Sequence, residues 1–215
     1  MLKLVEGDGW TFVSEDTSGH DPITVYKKTV PPGTHVQSAS GEADEAAAEK
    51  HACIKVTALL NAAPHDLYQL FLDNSRVSEY NEHCALLEDV EVCSRDTKVS
   101  WSVTGAFGPF KPREFVTMVH YTKKTKALVV VNRPATHASK PVKSKYQRGE
   151  ILLAGNIMEP VEGQPSQTRF TMITHVNPGG VVDNPLCAKI MNRLSASAPI
   201  EFVQKLEVAA DCRSM

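Results

Sequence analysis

The fold of this chain is decided by one stretch, residues 99–132, which reads VSWSVTGAFGPFKPREFVTMVHYTKKTKALVVVN. In residues 99–104 an apolar residue alternates with Ser or Thr, and this period of two is typical of a half-buried β-strand. Residues 114–121 and 127–132 are further strand-like runs, joined by the polar segment TKKTK at residues 122–126. The stretch therefore predicts consecutive antiparallel strands, of which the last two form a hairpin.

Strand-like segments also flank this stretch on both sides. Residues 52–60 and 86–93 precede it and are rich in apolar residues. Residues 146–158 and 168–176 follow it and predict a second hairpin, connected through residues 159–167. The sequence therefore predicts an antiparallel sheet that includes most of the chain.

The last segment changes from strand-like to helical periodicity. One helical stripe carries the apolar residues Leu186, Ile190, Leu194, Val203 and Leu206. This spacing predicts a long amphipathic C-terminal helix, bent where Pro199 removes a backbone donor. Strands, one early helix after Pro64, hairpins and a closing helix predict a single α+β domain over residues 1–215.

The predicted sheet needs cover on its concave face, and the C-terminal helix is the late element able to supply it. Such a pairing is often too wide for side chains to fill, so that a cavity remains between the sheet and the helix. Its lining is expected to be mostly apolar. The order of elements therefore predicts room for a hydrophobic ligand.

Four sequence phrases, in this order, resemble the START domain family of StAR-related lipid-transfer proteins. They are GPFKPREFV at 108–116, RGEI at 148–151, NPGG at 177–180 and PIEFVQKL at 199–206. The opening of the family is matched by Trp10 and by the strand-like run ITVY at 23–26. The resemblance extends from Trp10 to Ala209.

The resemblance implies a helix-grip fold, in which a curved antiparallel sheet wraps around the C-terminal helix and encloses a hydrophobic tunnel. The tunnel would hold one phospholipid, sterol or other lipid. Val119 stands where steroid-carrying members place an arginine, which implies a more apolar lining. The ligand-binding residues implied for this chain are Trp101, Phe115, Thr117, Val119, Tyr121, Val130, Asn132, Met172, Ile190, Leu194, Phe202 and Leu206.

The segment at residues 134–145 has two possible roles. It contains Lys140, Lys143 and Lys145 without an acidic residue among them. Exposed basic loops are common, and in one interpretation this segment is simply solvated. In the other, which the resemblance implies, it is a gate near the tunnel mouth where the three lysines contact an anionic membrane surface.

Composition and motifs exclude several other classes of protein. The chain has 23 Lys and Arg against 25 Asp and Glu, a formal charge of -2, whereas a general nucleic-acid binder needs a basic face. No metalloprotease, nucleophile-elbow, P-loop or dinucleotide-binding motif occurs, and the five cysteines form no CxxC pair. We therefore expect no cofactor, metal or catalytic residue, and a cytoplasmic monomer that contacts a lipid ligand and, transiently, a membrane.

Two alternatives stay open. The helix-grip architecture also occurs in cyclase-type and hydrolase-like enzymes that act on aromatic or polyketide substrates, and these need a titratable group in the tunnel. Glu150, His120 and His175 are the candidates for that group. The other alternative is a regulatory module that uses its cavity only as a switch, because a fold alone does not decide a function.

Overall fold

Antiparallel β-structure dominates the chain in a computed structural model. The structure describes residues 1–19, 21–30, 51–106, 110–179 and 185–211, and of residues 185–196 it describes the backbone alone. Gly108 and Pro109 of the GPFKPREFV phrase therefore lie outside the described residues.

Ten strands form one sheet. Their order across the sheet is β1-β2-β3-β10-β9-β7-β6-β5-β4, and the short β8 pairs in parallel with β6 off this path. The strands are β1 Thr11–Asp16, β2 Ile23–Lys28, β3 Cys53–Leu60, β4 Cys84–Ser94, β5 Thr97–Thr104, β6 Arg113–Lys124, β7 Ala127–Pro134, β8 Gln147–Arg148, β9 Glu150–Val161 and β10 Gln164–Asn177. Every pairing along the main path is antiparallel, which confirms the predicted sheet type.

The described helices lie at the two ends of the chain and between β3 and β4. They are α1 Leu2–Glu6, α2 Pro64–Leu72, α3 Val77–Tyr80 and α4 Pro185–Asp211, with one 3-10 turn at Asn74–Arg76. Pro64 occupies the first turn of α2, where its missing N–H costs no hydrogen bond. Pro199 lies inside α4, which begins at Pro185 as one continuous helix.

The second hairpin is tighter than the sequence predicted. Strand β9 continues to Val161 and β10 begins at Gln164, so the predicted connection through residues 159–167 shrinks to residues 162 and 163. Gly163 has φ +74°, the left-handed region that a two-residue hairpin turn requires and that glycine adopts without strain. The two strands therefore form a long antiparallel hairpin.

The main core lies where α2 and α4 cover one face of the sheet. Val203 and Leu206 of α4 have no exposed surface, and Val56 and Phe170 of the sheet and Leu67 of α2 are equally buried. Leu206 thus belongs to this core and not to a cavity. The predicted helix–sheet packing is present in the described part of α4.

Candidate ligand-binding cavity

A cavity of about 640 Å³ lies between the sheet and α4, on the same face as the core. Every strand from β3 to β10 except β8 contributes to its wall, and so do α2, α3 and α4. Its lining exposes more apolar than polar surface. A cavity of this volume is in the range of roughly 300–1,000 Å³ that small-molecule ligands occupy in proteins.

Most of the described tunnel residues expected from the sequence lie in this lining. Strand β6 supplies alternate residues, because successive side chains of a strand point to opposite faces. The intervening Met118 is 43% exposed on the other face. The expected residues that line the cavity are Thr117, Val119, Tyr121, Val130, Asn132, Met172 and Phe202.

Trp101 lies outside the cavity, which corrects the position expected from the sequence. Its indole Nε1 donates a hydrogen bond of 2.9 Å to Glu114 Oε2, and its ring contacts Tyr146 edge-on at 6.1 Å. Both contacts are on the sheet face opposite the cavity. The neighbouring Ser100 and Ser102 border the cavity instead.

Phe115 and Leu206 are also outside the lining. Phe115 shares its strand face with Thr117, but its ring packs so closely on Gly149 that a Cβ there would lie 2.6 Å from it. The space beside the first residues of β6 is therefore occupied by protein atoms and is not part of the cavity. Leu206 is buried in the main core. The side chains of Ile190 and Leu194 lie outside the described residues.

The predicted gate segment packs on the outer face of the sheet, and none of its residues lines the cavity. Lys140 Nζ lies 4.1 Å from the centre of the Trp101 ring and 2.5 Å from Glu88 Oε2. Arg148, which follows the segment, donates to the buried Glu114 at 3.0 Å and to the carbonyl of Lys140 at 2.8 Å. These bonds hold Lys140 against the sheet. Lys143 and Lys145 are exposed.

Lys98, at one corner of the cavity wall, forms an ion pair with Asp89 of the edge strand β4 that the sequence did not predict. Lys98 Nζ donates to Asp89 Oδ2 at 2.8 Å and to Asn74 Oδ1 at 3.1 Å, and Ser100 Oγ donates to Asp89 Oδ1 at 2.6 Å. Burial alone would raise the pKa of Asp89, but the bonds from Lys98 and Ser100 outweigh it and hold the pKa below its usual value. Lys98 could have been found as the one cation in an otherwise Ser/Thr-bearing strand face.

Aromatic rings close the wall beside this corner. Tyr80 contacts Phe71 edge-on at 5.6 Å and Phe202 at 5.7 Å, so that α2, α3 and α4 meet there. Tyr121 donates its hydroxyl to the carbonyl of Phe71 at 3.1 Å. Burial raises the pKa of the Tyr121 hydroxyl, which keeps it neutral and a donor.

The cavity reaches the surface between the segment that precedes β4 and helix α4. Glu82 and His83 on one side and Glu201 on the other are exposed and also line the cavity. Lys205 of α4 forms an ion pair with Glu82 across this opening. We call this part of the surface the cavity mouth.

The candidates for catalysis do not line the cavity. His120 is exposed on the outer face, where Nδ1 lies 2.8 Å from Thr97 Oγ1. His175 is fully buried with Nε2 2.8 Å from the carbonyl oxygen of His51. Glu150 is likewise absent from the lining.

The part of the chain that the structure describes contains no group of three or more His, Cys, Asp or Glu side chains placed to hold a metal ion. It also contains no helix that is both long and apolar enough to span a bilayer.

Comparisons with known proteins agree with this architecture. A solved structure of human StAR-related lipid transfer protein 5 has a TM-score of 0.78 at 16% identity, covering 100% of this chain and 93% of that one. The crystal structure of human STARD10 has a TM-score of 0.75 at 16% identity, covering 97% and 76%. At these identities the two structures show the fold, and the fold is helix-grip.

Sequence comparisons extend this result from fold to family. The steroidogenic acute regulatory protein, mitochondrial, of Danio rerio is 20% identical over 155 residues, which are 71% of this chain and 53% of that protein. The chain thus spans about half the length of this relative. A family model described as START domain matches residues 2–210. The chain therefore belongs to the START domain family of lipid-binding domains.

Proposed function

We propose that this chain binds one hydrophobic molecule, such as a phospholipid, a sterol or another lipid, and carries or senses it without chemical change. The observation that supports this proposal is the cavity of about 640 Å³ with a largely apolar wall, in a chain of a lipid-binding family. Thr117, Val119 and the other expected residues of the lining would contact the bound lipid, because they form the cavity wall.

The driving force for binding is removal of apolar ligand surface from water. Each 100 Å² of apolar area that moves from water into the cavity contributes about 2.5 kcal/mol. A ligand that buries several such areas gains enough to offset the cost of leaving a membrane. The polar groups of the wall would then set orientation and selectivity more than affinity.

An enzyme of the same fold is the alternative, and the cavity wall argues against it. A general acid or base must lie within hydrogen-bond reach of the reacting group. Glu150, His120 and His175 lie away from the lining. Lys98 of the lining is paired with Asp89, and Glu82, His83 and Glu201 are exposed at the cavity mouth. This arrangement favours a carrier over a catalyst.

We propose that residues 1–215 act as one domain and as a cytoplasmic monomer that meets membranes transiently. Cys53, Cys84 and Cys93 are free thiols, as is usual in a reducing compartment. Burial raises the pKa of Cys53 to about 12, so this thiol is unreactive. Of the three gate lysines, Lys143 and Lys145 remain candidates for membrane contact, whereas Lys140 is held against the sheet.

Native mass spectrometry of the protein purified from cells tests the carrier against the enzyme. We expect a complex of one chain with one lipid, and the lipid should leave unaltered in mass after incubation. Conversion of the bound molecule to a product would contradict the non-catalytic role and favour the cyclase- or hydrolase-like alternative.

A further inference from the structure

Asn156 is a polar residue in an apolar part of the cavity wall. It lies on β9 with Ala154 and Met158 on the same face, and its register partners on the neighbouring strands are Val130 of β7 and Met172 of β10. Ala154, Val130 and Met172 line the cavity with it. The residue is only 8% exposed.

The side-chain oxygen of Asn156 has an unmet hydrogen-bonding capacity. Oδ1 is buried and accepts no hydrogen bond from any residue that the structure describes. Buried polar atoms are almost always paired, since leaving one unpaired is costly. An unpaired acceptor on a cavity wall therefore indicates a donor on the molecule that the cavity binds.

The other polar corner of the wall does not offer the same opportunity. Lys98 and Asp89 are paired at 2.8 Å, and Asn74 and Ser100 complete their hydrogen bonds. Lys205, at the mouth, is paired with Glu82. The described wall thus presents no unpaired lysine or arginine, and an anionic head group would have to be buried without a counter-charge, which is unfavourable.

A second amide lies next to Asn156. Asn132 of β7 is the register partner of Ala154, two residues before Asn156, so the two asparagines are diagonal neighbours on the cavity face. Diagonal pairs are separated by roughly 7–8 Å between Cα atoms, a span that one ligand oxygen can bridge between two amides. A hydroxyl group suits this position because it donates and accepts at once.

We propose that Asn156 Oδ1 accepts a hydrogen bond from a hydroxyl group on the bound lipid, with the Asn132 amide as its second contact. The ligand class is a neutral lipid with one hydroxyl group on an apolar body. This inference rests on the proposed function, because it assigns a polar contact to the lipid that the cavity holds. The cavity volume equals that of roughly twenty liquid water molecules, so the body is a single chain or a sterol-sized ring system.

Two matched pairs of probes test this contact. One pair is 1-hexadecanol and hexadecyl methyl ether, and the other is cholesterol and cholesteryl methyl ether. Each pair differs in a hydroxyl donor and little else. The measurement is equilibrium extraction of the labelled probe from sucrose-loaded phosphatidylcholine vesicles by the full chain. The pair that is extracted identifies the apolar body as chain or ring.

We expect the wild-type chain to extract the alcohol about tenfold better than its ether, since the ether leaves Oδ1 unpaired. Asn156→Leu has nearly the same volume and no polar group, and it should extract alcohol and ether alike. Met118→Leu is the control, because Met118 is 43% exposed on the outer face of β6, and this variant should keep the wild-type preference. Asn156→Val serves as a second apolar variant, and circular dichroism checks that each variant is folded.

The outcomes separate this inference from the proposed function. Equal extraction of alcohol and ether by the wild-type chain overturns the inference and leaves the carrier proposal in place, and this comparison needs no variant. A hydroxyl preference that survives in Asn156→Leu also overturns it. Extraction of none of the four probes by the wild-type chain also overturns the inference, whereas the carrier proposal is contradicted only if native mass spectrometry finds no bound lipid.

Discussion

Lys98 brings a charge to a cavity wall that the sequence indicated to be apolar. Asp89, on the edge strand β4, neutralises this charge from outside the lining. The Asp89 carboxylate is held by two side-chain donors and by the Lys98 charge. The pair therefore links the edge strand to the cavity wall.

The pH dependence of stability reports on this pair. The pKa of Asp89 in the folded chain lies below 3.8, the usual value of an aspartate. Its contribution to stability is therefore present above pH 3.8 and is lost as the pH falls through the folded-state pKa. We expect Asp89→Asn to lower the free energy of unfolding at neutral pH. The difference in the free energy of unfolding between this variant and the wild type should shrink below pH 3.8. Urea titrations at neutral pH and below pH 3.8 measure it. A difference that is constant with pH would contradict this role of the carboxylate.

Single residues also show how far sequence reasoning reaches into the site. The resemblance implied Thr117, Val119 and Tyr121 of β6 as tunnel residues, and all three line the cavity. On β5 the alternation placed Val99, Trp101 and Val103 on one face, but periodicity does not say which face borders a cavity. The segment after β7 covers the outer face there, as the contact between Trp101 and Tyr146 shows. The apolar side of β5 is therefore buried outside the cavity.

Among the elements, α4 connects the core to the cavity mouth. Its C-terminal part is fixed by Val203 and Leu206, which are completely buried, while Ala198, Pro199 and Phe202 line the cavity. Pro199 cannot donate a backbone hydrogen bond to the preceding turn. The ion pair between Lys205 and Glu82 joins the fixed part of the helix to the opposite side of the mouth.

We expect Lys205→Met to accelerate ligand exchange about threefold, because an exposed ion pair contributes only modestly to holding the mouth closed. Stopped-flow transfer of a fluorescent lipid between vesicles measures this rate. Raised salt should accelerate the wild-type chain and leave Lys205→Met unchanged, since salt screens exposed charges.

Lys140→Met is the control, because it breaks another lysine–glutamate ion pair that lies on the outer face, away from the mouth. It should transfer lipid at the wild-type rate. Equal acceleration by both variants would show that general loss of surface charge, and not opening of the mouth, sets the rate.

The elements themselves were predicted better than their ends. Hairpins and the closing helix follow from periods of two and 3.6, which local sequence determines. The turn at Gly163 was missed because Glu162-Gly163 is not one of the Asn-Gly or Asp-Gly pairs that mark a two-residue hairpin turn, and it was grouped with the polar residues around it. The outer position of Lys140 depends on its long-range contacts with Trp101 and Glu88, which no local pattern contains.

In the whole molecule, the proposed lipid binding depends on the cavity between the sheet and the helices. The order of elements and the family resemblance predicted this cavity, and Val130 and Met172, which were expected to line it, do so. The polar residues of its wall could not be predicted, because the pairing of the strands, which no local pattern gives, determines that Asn156 and Lys98 face the cavity.

Substitutions that fill the cavity test directly whether the chain carries its lipid there. Val119→Trp adds a large side chain to the cavity wall, with Ala154→Phe as a second filling variant and Val92→Trp, at a position 75% exposed, as the control. The measurement is transfer of lipid between vesicles by chains whose folding is verified by circular dichroism. We expect both filling variants to lose transfer while the control keeps it. Unchanged transfer by folded Val119→Trp and Ala154→Phe would contradict the proposal that the lipid is carried in this cavity.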